Sequence, residues 1–257
     1  GNPGGGKSWS LVALGGFAVL NGYNVIHYTL ELGEDYVGRR YDAFFTKIPV
    51  NRIIENRARV EEVIPNLTGE LIIKEFPTGK ATINTIESHI KKMISLGITP
   101  DLVIIDYVDL LSSKRKSSDR KFEIDDIYTS TKGLARELNI PIWSVSQVNR
   151  AGSKDDIIEG DKAAGSYDKM MIVDFALSLS RKKEDKVNNT GRFHVMKNRY
   201  GMDGVTFYLN ADTSTGHFEI TEAADDDDGP KPPKPTQTNF DNLDKKMLAH
   251  KFFELNT

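Results

Sequence analysis

Gly1-Asn2-Pro3-Gly4-Gly5-Gly6-Lys7-Ser8 is the stretch whose reading decides the fold. It fits the pattern G-x-x-x-x-G-K-[ST]. In that pattern glycines let backbone N–H groups wrap around phosphates, the lysine neutralises β and γ oxygens, and the hydroxyl is offered to Mg²⁺. The fixed positions would arise by chance about once in 100 chains of this length. A merely glycine-rich terminus would not continue as this one does, into a helical apolar stretch from Lys7 to Leu20, stopped by Asn21-Gly22, and then the β-branched and aromatic strand Val25–Leu30. Gly1 to Ser8 are therefore the expected nucleotide-binding residues. The chain opens inside this loop, so the apolar strand that feeds it, and an N-terminal domain, are expected upstream of Gly1.

Working outward, the alternation continues. A helical stretch carries Val37, Tyr41, Phe44 and Phe45. It is followed by a helix near Arg52–Val63, strand Leu71–Phe76, helix Ile83–Leu96, strand Leu102–Asp106, helix Phe122–Leu138 and strand Ile142–Ser146. Strands that are nearly continuous apolar runs, separated by helices, argue for an α/β fold with a mostly parallel central sheet. After Tyr167 the pattern changes to strands Ile172–Leu179, Arg192–Lys197, Val205–Leu209 and Phe218–Ile220, with turn signals at Asn188-Asn189 and Asp203-Gly204. These predict antiparallel strands at one edge of the sheet. The folded domain is expected over 1–222. An acidic and proline-rich linker over 223–238 and an amphipathic segment over 239–257, with Phe240, Leu243, Met247, Leu248, Phe252 and Leu255 along one stripe, complete the chain. No internal repeat is present.

The 257 residues, 39% hydrophobic and 28% charged, suit one large domain with an appendage. No run approaches the roughly 20 apolar residues needed to span a bilayer, and no secretory signal is visible, which argues against membrane insertion and secretion. The absence of cysteine excludes a disulfide framework and thiol catalysis, and fits an intracellular chain. A net charge of −3 gives no overall basic footprint, so any nucleic-acid contact must come from local patches.

Three further positions carry chemistry. Leu102–Asp106 is an apolar strand ending in a carboxylate, which beside a phosphate loop places Asp106 to hold Mg²⁺ through water; Asp109 reads as a helix or turn residue. Glu31 ends the strand after the first helix, at the sheet edge where ligands collect, and fits a water-orienting base. It fits equally well as one of the carboxylates, with Glu34 and Asp35, that favour the next helix N-terminus. Gln147 ends another strand at the same edge, where its amide either senses a γ-phosphate or simply closes the strand.

Taken in order, GNPGGGKS, YTLELG (28–33), VIIDYVDLL (103–111), SVSQVNR (144–150), AAGSYDKMMIVDFALSLSR (163–181) and KNRYG (197–201) resemble the motifs of DnaB-type replicative hexameric helicases, which have a RecA-like P-loop core. IIKEFPTGKATINT (72–85) and KNRYGMDG (197–204) strengthen the likeness to the members found in T-even bacteriophages. The resemblance covers roughly Gly1 to Ile220. It implies that Lys7 and Ser8 bind the phosphates of ATP and Mg²⁺, that Glu31 is the general base and Asp106 the Walker B acid, and that Gln147 couples nucleotide state to DNA. Lys197 and Arg199 are implied to reach the γ-phosphate of a neighbouring subunit. The channel-lining segments would be Ser112–Lys121, with Lys114, Arg115, Lys116, Arg120 and Lys121, and Asn149–Ser166, with Arg150, Lys162 and Gly165 at the DNA backbone. Spacing alone reads the first as readily as a solvated loop.

The resemblance implies an ATP-driven DNA helicase that acts as a ring, expected to be a hexamer, on single-stranded DNA with 5′ to 3′ polarity. Its partners would be a primase, a helicase loader or a polymerase, and its place the cytoplasm, that of the host cell for a viral protein. Two alternatives stand beside it: a RecA-type recombinase or KaiC-like ATPase, sharing the sheet and the P-loop but pairing or remodelling rather than unwinding, and a non-enzymatic nucleotide-gated assembly subunit.

Overall fold

The structure, a computed structural model, describes residues 4–114, 119–146 and 166–223. Gly1, Asn2, Pro3, Arg115, Lys116, Gln147, Arg150, Lys162, Gly165, almost all of the linker and the amphipathic C-terminal segment lie outside the described residues. Among those described, no helix is long and apolar enough to cross a membrane.

In chain order the elements are α1 (Lys7–Leu20), β1 (Val25–Thr29), α2 (Glu34–Thr46), α3 (Arg57–Val63), β2 (Leu71–Glu75), α4 (Ile83–Ser95), β3 (Leu102–Asp106), α5 (Arg120–Leu138), β4 (Ile142–Ser144), α6 (Ser166–Ile172), β5 (Phe175–Ser180), α7 (Lys183–Val187), β6 (Thr190–Asn198), β7 (Thr206–Asp212) and β8 (His217–Ala223). The first four strands form a parallel sheet in the order β2-β1-β3-β4. Every residue of β1 and β3 is buried. Their sequences are unbroken apolar runs because both faces of the sheet are covered. Ile26, Tyr28, Val103 and Ile105 face α4 and α5 through Ile83, Ile86, Ile90, Ile127 and Leu134, while Val25, Leu102 and Ile104 face α1 through Leu11 and Val19. On that second side α1 and α2 approach so closely that a Cβ at Gly15 would strike Tyr41, and one at Gly16 would strike Phe44.

The late strands are antiparallel, as expected, but they form a sheet of their own in the order β5-β6-β7-β8 rather than a hydrogen-bonded extension of the first. The two sheets meet side chain to side chain, with Phe175 of β5 tilted against Trp143 of β4 at 5.7 Å between ring centres. β4 offers only three ladder residues, and its Ser144 hydroxyl turns back to the Ile105 carbonyl at 2.7 Å. The expected strand over Ile172–Leu179 begins instead at Phe175. Met170-Met171-Ile172 are the end of α6, since a short apolar run does not distinguish helix from strand. Similarly, the helix expected near Arg52–Val63 is split into two 3₁₀ turns, Val50–Arg52 and Ile54–Asn56, before α3.

Candidate nucleotide-binding site

The loop before α1 turns through left-handed backbone at Gly4 (φ 65°) and Gly6 (φ 93°), a region that favours glycine. A Cβ at Gly6 would meet Arg181, Thr213 and Phe218, each at 3.5 Å, so the antiparallel sheet walls the loop on one side. The first turn of α1 holds no acidic residue and no side-chain cap, which leaves its N–H groups for an anion.

Lys7, Asp106 and Glu31 converge. Burial pushes the Lys7 ammonium below its usual range, while the charges of Asp106 and Glu31 act on it in the opposite sense. Asp106 ends β3 and is 2% exposed. Burial raises its pKa and Glu31 adds to the rise, against a hydrogen bond from Ser8 and the charges of Arg40 and Lys7. One oxygen of the Asp106 carboxylate is buried and has no hydrogen-bond partner. That orphaned acceptor, next to a hydroxyl on the same carboxylate, is a donor set that fits Mg²⁺. Among the described residues no cluster of three or more His, Cys, Asp or Glu side chains could hold a metal, so the remaining ligands would have to be phosphate oxygens and water.

Glu31 reaches this centre because the turn after β1 is fixed. The Leu30 N–H donates to the Asp106 carbonyl at 2.9 Å, and the Thr29 hydroxyl closes the turn on the Leu32 carbonyl at 2.7 Å. α2 starts only at Glu34, whose carboxylate accepts from Lys74 Nζ at 2.9 Å and from the Glu75 N–H at 2.7 Å. Glu34 and Asp35 therefore occupy the first turn of α2, and Glu31 lies outside it, toward Lys7.

Lys197 and Arg199 are brought together, but not with these groups. Lys197 Nζ donates to the Met170 carbonyl at 2.5 Å, and Arg199 pairs through Nε with Asp174 at 3.1 Å. Asp174 is also held by Lys132 at 2.7 Å, and that contact leads in keeping its carboxyl below the usual range. Along β5, Phe175 pairs with Asn198 at one end and Ser180 with Arg192 at the other. Five residue steps separate the two ends, or ~17 Å at strand rise. The phosphate loop lies beside Arg181, at the second end. Of the basic run, Arg120 is engaged within the chain, on the Asp109 carbonyl at 2.7 Å and on Glu123 at 2.8 Å.

Sequence reasoning missed three groups around the loop. Arg40 on α2 stacks over Trp9 at 4.9 Å and Tyr36 at 5.0 Å, and its charge reaches Asp106. Nothing in a charged helix singles it out. Arg181, buried and donating to the Thr190 carbonyl at 2.9 Å, is the last residue of the 163–181 motif, whose pattern attaches no role to it. Lys186 lies 3.8 Å from where a Gly4 Cβ would stand.

Residues 1–219 match the family described as DnaB-like helicase C terminal domain. The chain belongs to that family. As a DnaB-like C-terminal domain it is 25% identical over 212 residues to the DnaB-like replicative helicase of Enterobacteria phage T4, a match covering 76% of this chain and 44% of that protein. It is 28% identical over 221 residues to the replicative DNA helicase DnaB of Mycoplasma genitalium, covering 79% of this chain and 47% of that one. The chain thus spans less than half the length of these curated relatives. Among solved structures, one described as an ATPase domain superposes with TM-score 0.74 at 22% identity, over 86% of this chain and 82% of that one. A DnaB-like replicative helicase described with its interactions with primase gives TM-score 0.73 at 21% identity, over 84% and 56%. At that identity the likeness speaks for the fold alone.

Proposed function

We propose that this domain is the motor of a ring-forming replicative DNA helicase, hydrolysing ATP with Mg²⁺ at the seam between neighbouring copies while the ring, a hexamer, travels 5′ to 3′ on single-stranded DNA. The observation that carries the reading is the separation of charged groups along β5. Lys7, Ser8, Glu31 and Asp106 make one half of a phosphoryl-transfer site, and Lys197 with Arg199 supply charge for the other half from the far end of the antiparallel sheet. The ~17 Å of strand between the β5 end that carries these cations and the end beside the phosphate loop is more than an arginine side chain spans, which supports reading them as serving a phosphate bound by another copy. In this reading Ser8, and Asp106 through water, would hold Mg²⁺, which would supply neutralisation of charge on the phosphates. Lys7 binds the β and γ oxygens. Glu31 orients a water and takes its proton as the new P–O bond forms and the bond to the bridging oxygen breaks, leaving ADP and phosphate. Arg199 and Lys197 of the neighbour offset the charge that develops, and only when the seam is closed. Gln147, Arg150, Lys162 and Gly165 are proposed for coupling and DNA backbone contact. Primase is the partner class the fold analogy favours, with loader and polymerase beside it; the cytoplasm, a host's if the source is viral, is the proposed place of action.

Subunit mixing tests the seam. Arg199→Ala and Lys7→Ala proteins, each inactive in ATP turnover, should regain part of it when mixed, because a mixed ring contains seams with one intact half from each copy. The same preparation of unsubstituted protein should displace the arm of a forked duplex only with hydrolysable ATP. No recovery at any ratio counts against action in trans, and strand exchange without displacement would move the assignment to a recombinase.

A further inference from the structure

Beyond Asp106 the chain turns through Val108–Leu110, and Asp109 on this turn is the hub of a partly buried polar cluster that the phosphate chemistry does not use. One carboxylate oxygen accepts from the Tyr128 hydroxyl of α5 at 2.7 Å. The other accepts from Lys169 Nζ of α6 at 2.7 Å and from the Ser146 hydroxyl at 2.9 Å. Lys169 also donates to Ser146 at 3.0 Å and sits 5.1 Å from the centre of the Tyr128 ring. It is only 8% exposed. The Asp109 carbonyl takes the Arg120 bond at the start of α5. A second tie runs alongside, because the Ser144 hydroxyl accepts from the Val108 N–H at 2.9 Å and donates to the Ile105 carbonyl, next to Asp106.

A lysine–aspartate pair largely shielded from water, its side chains 10% and 18% exposed, is a poor device for stability alone. Desolvating both groups offsets most of their attraction, and an apolar pair of similar volume often serves as well; removing one group, however, strands the other. What such a pair favours is register, since its members cannot part without leaving the Lys169 charge buried and unpaired. Here the members sit at the ends of segments proposed for coupling and DNA contact. Ser146 immediately precedes Gln147, Lys169 comes after Lys162 and Gly165, Arg120 lies in the basic run Ser112–Lys121, and Asp109 shares a turn with Asp106.

We propose that Asp109 and Lys169 are positioning residues that tie the flanks of both DNA-facing segments to the Asp106 turn, so that DNA engagement changes the rate of ATP turnover. The inference rests on the reading of the chain as a DNA-driven ATPase. A displacement of α6 or of the β4 exit is passed to the Asp106 turn through these bonds. The pair touches no reacting atom; it links the flanks of the DNA-facing segments to the turn that follows Asp106.

The test measures ATP turnover with and without single-stranded DNA in the full-length protein, with thermal unfolding recorded beside it. Asp109→Asn and Lys169→Met should each lose about tenfold in DNA stimulation while DNA-free turnover stays within about threefold of the unsubstituted protein. The double variant Asp109→Leu/Lys169→Met removes both charges and should recover unfolding temperature without recovering stimulation. Asp109→Gln/Lys169→Gln, whose amides can hydrogen-bond to each other, should recover stimulation. If the single variants do not fold, the two doubles decide. Full stimulation in the Leu/Met pair would show a packing role only and overturn the proposal, as would a well-folded Gln pair that stays unstimulated. An unsubstituted protein indifferent to DNA would bring down the DNA-driven reading itself, a failure visible before any variant is compared.

Discussion

β1 and β3 are buried along their whole length, whereas β5 passes from an exposed Phe175 to a buried Ser180. The two central strands of the parallel half are closed on both faces, so the groups offered for phosphate chemistry lie at strand ends: Asp106 finishing β3, and Glu31 just beyond β1. The antiparallel half is graded. Its closed end places Arg181 against the chain's own phosphate loop, and its open end holds Lys197 and Arg199 on Met170 and Asp174. In the proposed assembly one half binds and the other half reaches.

Removing the loop ammonium should have the largest effect. Lys7→Ala should cost ~10³-fold or more in ATP turnover with single-stranded DNA present, because a preorganised charge on the phosphates is lost. Unfolding temperature should hardly move, since Lys7 belongs to a loop-to-helix junction and not to the apolar core. Phosphate release near the unsubstituted rate would mean that the parallel half is not the phosphate half.

Glu31→Gln keeps size and hydrogen-bonding capacity but gives up the basic carboxylate, and should lower turnover on the order of 10²-fold while ATP binding and assembly persist. Undiminished turnover with a slightly lower unfolding temperature would return Glu31 to the role of a helix-start carboxylate. The position of Glu34 in the first turn of α2 makes that outcome the sharpest contrast available within the parallel half.

Much of the parallel half was legible in the sequence, because burial on both faces writes itself as apolar runs such as Leu102–Ile105, and because α1 carries its own start and stop at Lys7 and Gly22. The antiparallel half was legible as strands, but not in its sheet membership, which depends on the short β4 and on a side-chain contact between Trp143 and Phe175 that no local pattern encodes. In the candidate site, the nearness of Lys7, Ser8 and Asp106 was legible because motif spacing sets it. The surroundings of Arg40 and Lys169 were not, since each depends on what folding places beside it: an indole and a phenol ring for one, a partly buried carboxylate for the other.

The last expected effect concerns pH and is read in stability, not turnover. His27, in the middle of β1, is 1% exposed and bonded to the Tyr41 hydroxyl at 2.8 Å. Burial, with the Arg40 charge second, holds its pKa down at about 3, below the 6.5 of a free imidazole. The unfolded chain therefore binds the proton first. Stability is full above pH 6.5 and should fall by about 1.4 kcal/mol per pH unit as the pH drops from there toward 3. His27→Phe forfeits the Tyr41 hydrogen bond, about 1 kcal/mol, yet should flatten that slope in denaturant titrations run at several pH values. An unchanged slope would place the acid sensitivity elsewhere, for instance in the Asp174 pairs of the open end, which fail only as pH falls into the carboxylate range.

The distance along β5 has a consequence for counting. In the proposed assembly each copy brings one binding half and one reaching half, so a closed ring of n copies contains n complete engines, and a ring breached to admit a DNA strand contains n − 1. The copy at the breach still holds its nucleotide but has no neighbour to fire it. Opening is thereby marked chemically at a single seam, and fuel stays unspent there until the circle is whole again.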